Sequence, residues 1–249
     1  MNSREGEILF CIAPQQTDEW FAARVGVITG SRFKDALDRK KNGDLTEKCL
    51  GYAYDLARER EGGKAPEKFV TGAMKDGTRE EPLARLHYEV ETGCFVEEVG
   101  FAYTTDRKFG VSVDGLIGHD GTWECKTMVS SATLFSAMVD EDISEYRQQC
   151  VGGLWLLTRQ WCDLTLWAPD LRYMHVIRIE RDEDEIERLA TGLLEFDRLV
   201  ERLRLRLRER LGRALVADEV AEIAEEVEPV AQPAAALLRA APQALPELF

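Results

Sequence analysis

Val111-Ser112-Val113-Asp114-Gly115-Leu116-Ile117-Gly118-His119-Asp120-Gly121-Thr122-Trp123-Glu124-Cys125-Lys126 is the stretch on which the reading of the chain turns. Two short runs of β-branched and apolar residues flank Gly118-His119-Asp120-Gly121, a turn-forming cluster, so the stretch predicts a β-hairpin. Glu124 and Lys126 stand two residues apart on its second strand. Side chains alternate faces along a strand, so these two point the same way, roughly 7 Å apart. Asp114, on the first strand, reaches the same patch across the ladder. Two carboxylates in one place hold a hard cation such as magnesium, and a neighbouring lysine meets a phosphate or helps to activate water. Taken alone, the spacing D-x9-E-x-K also fits a surface hairpin with an ordinary salt bridge, and the rest of the chain has to decide between the two.

Composition narrows the field. A length of 249 residues suits one domain of generous size or one domain plus a tail, and 45% apolar residues are enough for a buried core. No run of 18 or more apolar residues occurs, so no membrane span is expected. The first residues lack a basic start followed by an apolar stretch, and the expected compartment is cytoplasmic. Cys11, Cys49, Cys94, Cys125, Cys150 and Cys162 form no C-x-x-C pair and read as thiols of a reducing compartment. The scattered histidines His87, His119 and His175 predict no zinc site. A net charge of −14 argues against a basic protein that coats nucleic acid. It leaves room for a nuclease, whose metal-binding acids are themselves negative, with salt-sensitive and modest DNA affinity in the absence of metal.

Along the chain, residues 16–23 read as a helix capped by Thr17 or Asp18. The segment 24–31 ends at Ser31, a good N-cap for a helix over 32–37, and that helix start beside Arg24 reads as an anion site or as a plain capped helix. Arg39, Lys40 and Lys41 read as a solvated helix end before the Asn42-Gly43 turn. A helix over 45–61 places Leu50, Tyr54 and Ala57 on one face. Another over 78–91 has Leu83, Leu86, Val90 and Tyr88 on its apolar side, with Glu81 in its first turn and Pro82 at an early position. Strands are expected over 95–104 and 109–113. After Lys126 come helices over 130–138 and 143–157, the latter with Gly152-Gly153 for close packing, then strands over 161–167 and 173–179. A long helix starts at its cap Asp182, with Glu185 three residues on. Its seam is Ile186, Leu189, Leu193, Val200, Leu203 and Leu207, and the alternating arginines 202–210 read as solvated. Past Gly212 the composition turns acidic, then Ala/Pro-rich, which gives a domain over 1–212 and a tail over 213–249.

In this order the pieces resemble the PD-(D/E)XK nuclease fold, an α/β architecture with a central mixed sheet flanked by helices. They resemble more closely the lambda exonuclease and YqaJ-type viral recombinase nucleases. Trp20…Arg24-x-Gly-Val-Ile-Thr-Gly-Ser31 looks like the N-terminal segment of that family, and Glu81-Pro82-Leu83-Ala84-Arg85 like its helix acid. Ser112-Val113-Asp114-Gly115 and Glu124-Cys125-Lys126 look like its catalytic strands, and Tyr146-x-x-Gln149 like the helix that follows. The resemblance covers roughly residues 14–205. Val113 stands where the family name implies proline, and Val151 replaces a second glutamine often seen there.

The resemblance implies roles by position. Asp114, Glu124 and the backbone carbonyl of Cys125 would ligate Mg2+ or Mn2+, with Glu81 supporting the metal shell. Lys126 would position or deprotonate the attacking water. Arg24, Ser31, Ser112 and Gln149 match residues that hold a terminal 5′-phosphate or orient the site. The implied activity is 5′→3′ digestion of double-stranded DNA ends, leaving 3′ overhangs for a single-strand annealing protein in phage-type homologous recombination. The implied assembly is a homotrimer. A restriction-type or structure-specific endonuclease and a non-catalytic DNA-end-binding module remain as alternatives. The final residues, Gln243-Ala244-Leu245-Pro246-Glu247-Leu248-Phe249, resemble peptides that dock in bacterial sliding clamps, and also read as the apolar end of a tail.

Overall fold

A computed structural model describes residues 8–65 and 72–214. The acidic and Ala/Pro-rich segment from 215 onward, including the clamp-like end, lies outside the described residues. The described chain runs β1 (Ile8–Cys11), α1 (Asp18–Arg24), β2 (Ile28–Thr29), α2 (Phe33–Leu37), α3 (Glu47–Arg60), α4 (Gly72–Thr92), β3 (Phe101–Thr104), β4 (Phe109–Val111), β5 (Gly115–Ile117) and β6 (Gly121–Thr127). It continues with α5 (Ser131–Leu134), a π turn (Phe135–Val139), α6 (Arg147–Leu157), β7 (Trp161–Ala168), β8 (Tyr173–Glu180) and α7 (Glu183–Arg210).

The strands form two mixed four-stranded sheets, ordered β1-β3-β4-β2 and β5-β6-β7-β8. The hairpin expected from the central stretch is β5–β6, with Gly115 opposite Trp123 and Ile117 opposite Gly121. Its first strand is shorter than expected. The chain pairs with β3 up to Val111, leaves that sheet over Ser112–Asp114, and enters the second sheet at Gly115. Asp114 therefore sits at the switch between sheets, one residue before the ladder begins. An antiparallel bridge between Glu97, in the loop before β3, and Leu116 of β5 adds a contact at this point.

β6 pairs in parallel with β7, a connection that needs a long crossover, and α5, the π turn and α6 supply it. Alternation along β6 sends Trp123 and Cys125 toward α4, where they meet Tyr88, Ala84 and Trp167. The opposite face, carrying Glu124 and Lys126, looks toward α6. On that side Leu154, Leu164, Leu166, Phe33, Leu193, Phe196 and Val200 make the main core. Gly152 lets α6 touch the Phe33 ring, where a Cβ would come within 2.4 Å, and Gly153 lets it approach Val113.

Two expectations about faces and one about a helix start are corrected. On α3 the buried residues are Cys49, Tyr52, Ala53, Leu56 and Ala57, whereas Tyr54 is exposed. On α4, Ala84 and Tyr88 face the sheet, while Leu83, Leu86 and Val90 are exposed. The Tyr88 hydroxyl selects that face by donating to buried Asp163 at 2.6 Å, itself bound to Arg178. α4 also begins at Gly72, so Pro82 and Glu81 lie inside it rather than in its first turn.

Of the α7 arginines, Arg206 and Arg210 are exposed as expected, and Arg204 and Arg208 are corrected. Arg204 is buried and pairs with Glu61 at 3.0 Å and Glu201 at 2.7 Å, and Arg208 and Arg213 also bond to Glu61. Arg60 joins the seam by bonding to Asp197 and Glu201. These arginines hold α7 against α3. The Asp182 cap is as expected, its carboxylate accepting from the backbone N–H groups of Asp184 and Glu185.

Candidate active site

Glu124 is 1% exposed, on the middle of a strand that has neighbours on both edges. A buried carboxylate without partners is expensive, and here the partners come from its own strand and from α6. Lys126 Nζ donates to Glu124 Oε1 at 2.7 Å, which the two-residue spacing permits. Gln149 Nε2, on the first turn of α6, donates to the same oxygen at 2.5 Å. Lys126 Nζ also donates to Gln149 Oε1 at 3.2 Å, which closes a three-membered network. Lys126 lies 5.8 Å from the centre of the Tyr146 ring, a second contact from the same helix end.

Asp114 joins from the sheet switch. The Cys125 backbone N–H donates to Asp114 Oδ2 at 2.8 Å, which fixes the carboxylate beside β6. Glu81 approaches from α4 and feels the charges of Asp114 and Lys126. The sequence-predicted site residues Asp114, Glu124, Lys126, Gln149 and Glu81 thus come from α4, β6, α6 and the switch between sheets to one place.

The electrostatics are one-sided. Burial, then repulsion from Asp114, pushes Glu124 up to about 8, against the pull of Lys126. Burial and Asp114 likewise push Glu81 up to about 7. Burial raises Asp114 despite Lys126 and the Cys125 N–H. Burial alone would lower Lys126, but Glu124 and Asp114 outweigh it and the net shift is upward, so the ammonium stays charged. Three carboxylates therefore share one ammonium. The donors are hard oxygens with too little positive charge among them, which is the chemistry that a divalent cation such as Mg2+ or Mn2+ matches. Among the described residues no three His, Cys, Asp or Glu side chains form a ready metal-holding cluster. The fit therefore rests on Asp114 and Glu124 with further oxygens from backbone or solvent.

A second group lies along α1. Arg24 Nη1 donates to Ser112 Oγ at 3.1 Å, and Nη2 reaches Ser31 Oγ at 3.5 Å. Trp20 Nε1 also donates to Ser112 Oγ, at 3.1 Å, and the Arg24 guanidinium stacks 4.1 Å from the Trp20 ring. No carboxylate pairs with Arg24 among the described residues, and burial holds the guanidinium down at about 10. Ser31 does not cap a helix as expected. It lies in a 3-10 turn over Gly30–Arg32, and the five-residue α2 begins after it without a side-chain cap. The anion-binding capacity here rests on the uncompensated Arg24, with Ser31 and Ser112 as its hydroxyl neighbours. Ser112 and Asp114 are two residues apart, so the switch between sheets connects this cation to the acidic cluster.

Sequence reasoning passed over Gln15, whose Nε2 donates to the Val113 carbonyl oxygen at 3.2 Å. The signal available was a polar turn, Pro14-Gln15-Gln16-Thr17, just ahead of Trp20. Nothing local links it to a residue 98 positions away.

Comparisons with known proteins give the family and the fold. Residues 19–160 match the YqaJ-like viral recombinase domain. An alkaline exonuclease (LHK-Exo) from Laribacter hongkongensis is 32% identical, with a TM-score of 0.69 over 79% of this chain and 98% of that one. The same enzyme solved in complex with dAMP superposes equally well, with 31% identity and a TM-score of 0.69. A phage-related exonuclease from Haemophilus somnus 129PT, at 15% identity and a TM-score of 0.56 over 74% of this chain and 96% of that one, shares the fold. No curated protein matches.

Proposed function

Because the chain belongs to the YqaJ-like viral recombinase family, with the PD-(D/E)XK nuclease fold, we propose that it is a metal-dependent exonuclease. In this reading it degrades double-stranded DNA in the 5′→3′ direction and leaves 3′ overhangs. The observation that carries the reading is the pair of buried carboxylates beside one ammonium: Asp114, held by the Cys125 N–H just before β5, and Glu124, bonded to Lys126 in the middle of β6.

Asp114 and Glu124 would hold the Mg2+ or Mn2+ ion, with the Cys125 carbonyl as a further ligand and Glu81 in support. When bound, the ion stabilises charge on the scissile phosphate and makes water a better nucleophile at neutral pH. Lys126, kept charged by Glu124 and Asp114, suits the placing of water or the neutralising of the phosphate better than proton abstraction. Gln149 holds Lys126 and Glu124 in fixed relation, so neither has to reorient when substrate arrives.

The uncompensated Arg24, with Ser31 and Ser112, would clamp a terminal 5′-phosphate through charge-assisted hydrogen bonds. Clamping an end favours termini over internal bonds, which supports exonuclease over restriction-type endonuclease. The network of Lys126, Glu124 and Gln149 supports catalysis over a silent end-binding module. The homotrimer and the annealing-protein partner belong to the same proposal as family-level expectations, and a clamp contact rests separately on the likeness of the last residues to clamp-docking peptides.

The test compares linear 5′-phosphorylated duplex with covalently closed circular DNA, each with and without Mg2+. Mg2+-dependent loss of the linear duplex alone is expected. Cutting of closed circles would favour the endonuclease, and binding of ends without degradation would favour the silent module.

A further inference from the structure

Gln15 belongs to no part of the site described so far, yet its side chain reaches the hinge between the two charged groups. Its amide Nε2 donates to the Val113 carbonyl oxygen at 3.2 Å. That oxygen belongs to the peptide bond joining Val113 to Asp114, so the contact fixes the plane from which Asp114 departs. Val113 is buried, and Gly153 of α6 packs against its side chain from another direction.

The backbone around Gln15 is built to deliver the side chain. The Pro14 carbonyl accepts from the Thr17 N–H at 3.3 Å and from the Thr17 hydroxyl at 2.8 Å, which closes a tight turn. Gln16, inside that turn, has φ of +69°, a left-handed conformation that non-glycine residues seldom adopt. Thr17 then caps α1, accepting from the Trp20 N–H at 3.3 Å. The same short segment thus sends three donors to adjacent residues of the sheet switch: Gln15 to Val113, and Trp20 and Arg24 to Ser112.

We propose that Gln15 is a positioning residue that locks the Val113–Asp114 peptide and so sets the placement of the Asp114 carboxylate relative to the Arg24–Ser112 clamp. The proposal rests on the exonuclease reading above. A misplacement of about 1 Å in a catalytic group costs on the order of 100-fold in rate, so loss of one such lock is expected to slow turnover without weakening the grip on DNA.

The test uses the full chain and two near-isosteric variants that remove the donor, Gln15→Met and Gln15→Glu, with Gln15→Lys as a donor-restoring control. Three quantities are measured: kcat and KM on linear 5′-phosphorylated duplex, the Mn2+ dissociation constant of the DNA-free protein, and the melting midpoint. Both donor-less variants are expected to lose about 10- to 100-fold in kcat with KM and midpoint unmoved. They are also expected to bind Mn2+ more weakly, and Gln15→Lys to recover much of both losses. Wild-type kcat and Mn2+ affinity in Gln15→Met would overturn the proposal. So would a loss that tracks a lower melting midpoint or falls on KM alone. If wild-type protein does not digest DNA with Mg2+, it is the exonuclease reading that fails, and the Mn2+ comparison still tests Gln15.

Discussion

The site around Glu124 and the seam around Glu61 both bury a glutamate against basic side chains, with opposite electrostatic outcomes. At Glu124 three carboxylates share Lys126, and burial and Asp114 push the glutamate up to about 8. At Glu61, with a side chain only 3% exposed, burial also works upward, but Arg208, Arg213 and Arg204 outweigh it and the net shift is downward. One region has an excess of acid and the other an excess of guanidinium. A seam that has only to hold α3 to α7 benefits from complete neutralisation, whereas a site that must accept a cation keeps acids in surplus.

The sharpest break between the two would come from activity. Lys126→Ala is expected to slow Mg2+-dependent digestion by about 10²- to 10³-fold or more, read from kcat at a temperature where a melting curve on the same preparation shows the variant folded. Wild-type rates in that variant would place the chemistry elsewhere. Glu61→Ala should do the reverse. It removes the acceptor that Arg204, Arg208 and Arg213 share, and removal of one partner from a buried ion pair costs about 3–5 kcal/mol. Denaturant unfolding should show that loss, with kcat unchanged below the transition.

Arg24→Ala bears on the cation that stands outside both clusters. Hydrogen bonds to charged groups contribute about 1.5–3 kcal/mol, so the preference for 5′-phosphorylated over 5′-hydroxyl ends should fall by roughly tenfold or more. A wild-type protein with no such preference would remove the clamp from the account.

The smallest effect is on pH dependence, and it should differ in sign. Glu124 and Glu81 have folded values above those of the unfolded chain. Their contribution is present below the unfolded value and is lost as pH rises through about 7 to 8. Glu61 is held below its unfolded value, so its contribution is present above that value and is lost as pH falls through the folded one. In chelator, Glu124→Gln should flatten the alkaline side of the stability profile, and Glu61→Gln the acidic side.

These two regions were unequally legible in the sequence. The E-x-K pair lies on one strand, so its shared face follows from alternation, and the turn at 118–121 announced its hairpin. The caps at Thr17 and Asp182 are also local, and both hold. The seam is different, because Glu61 and Arg204 are 143 residues apart and nothing in the run of arginines reveals an acceptor. The outward face of α4 escapes the sequence for a related reason. Leu83, Leu86 and Val90 make a convincing apolar stripe, but the face was chosen by Tyr88 reaching Asp163 across 75 residues. The switch between sheets at Ser112–Asp114 looks like continuous strand in the sequence, because Gln15, Trp20 and Arg24 engage it from far upstream.

The most direct measurement is the melting midpoint of wild type and Glu124→Gln at alkaline pH, in chelator and across a Mn2+ titration. If acids were gathered here to receive a divalent cation, wild type starts lower in chelator and climbs as Mn2+ is added, while Glu124→Gln starts higher and responds weakly. Equal responses from the two proteins, or none from either, would contradict the account.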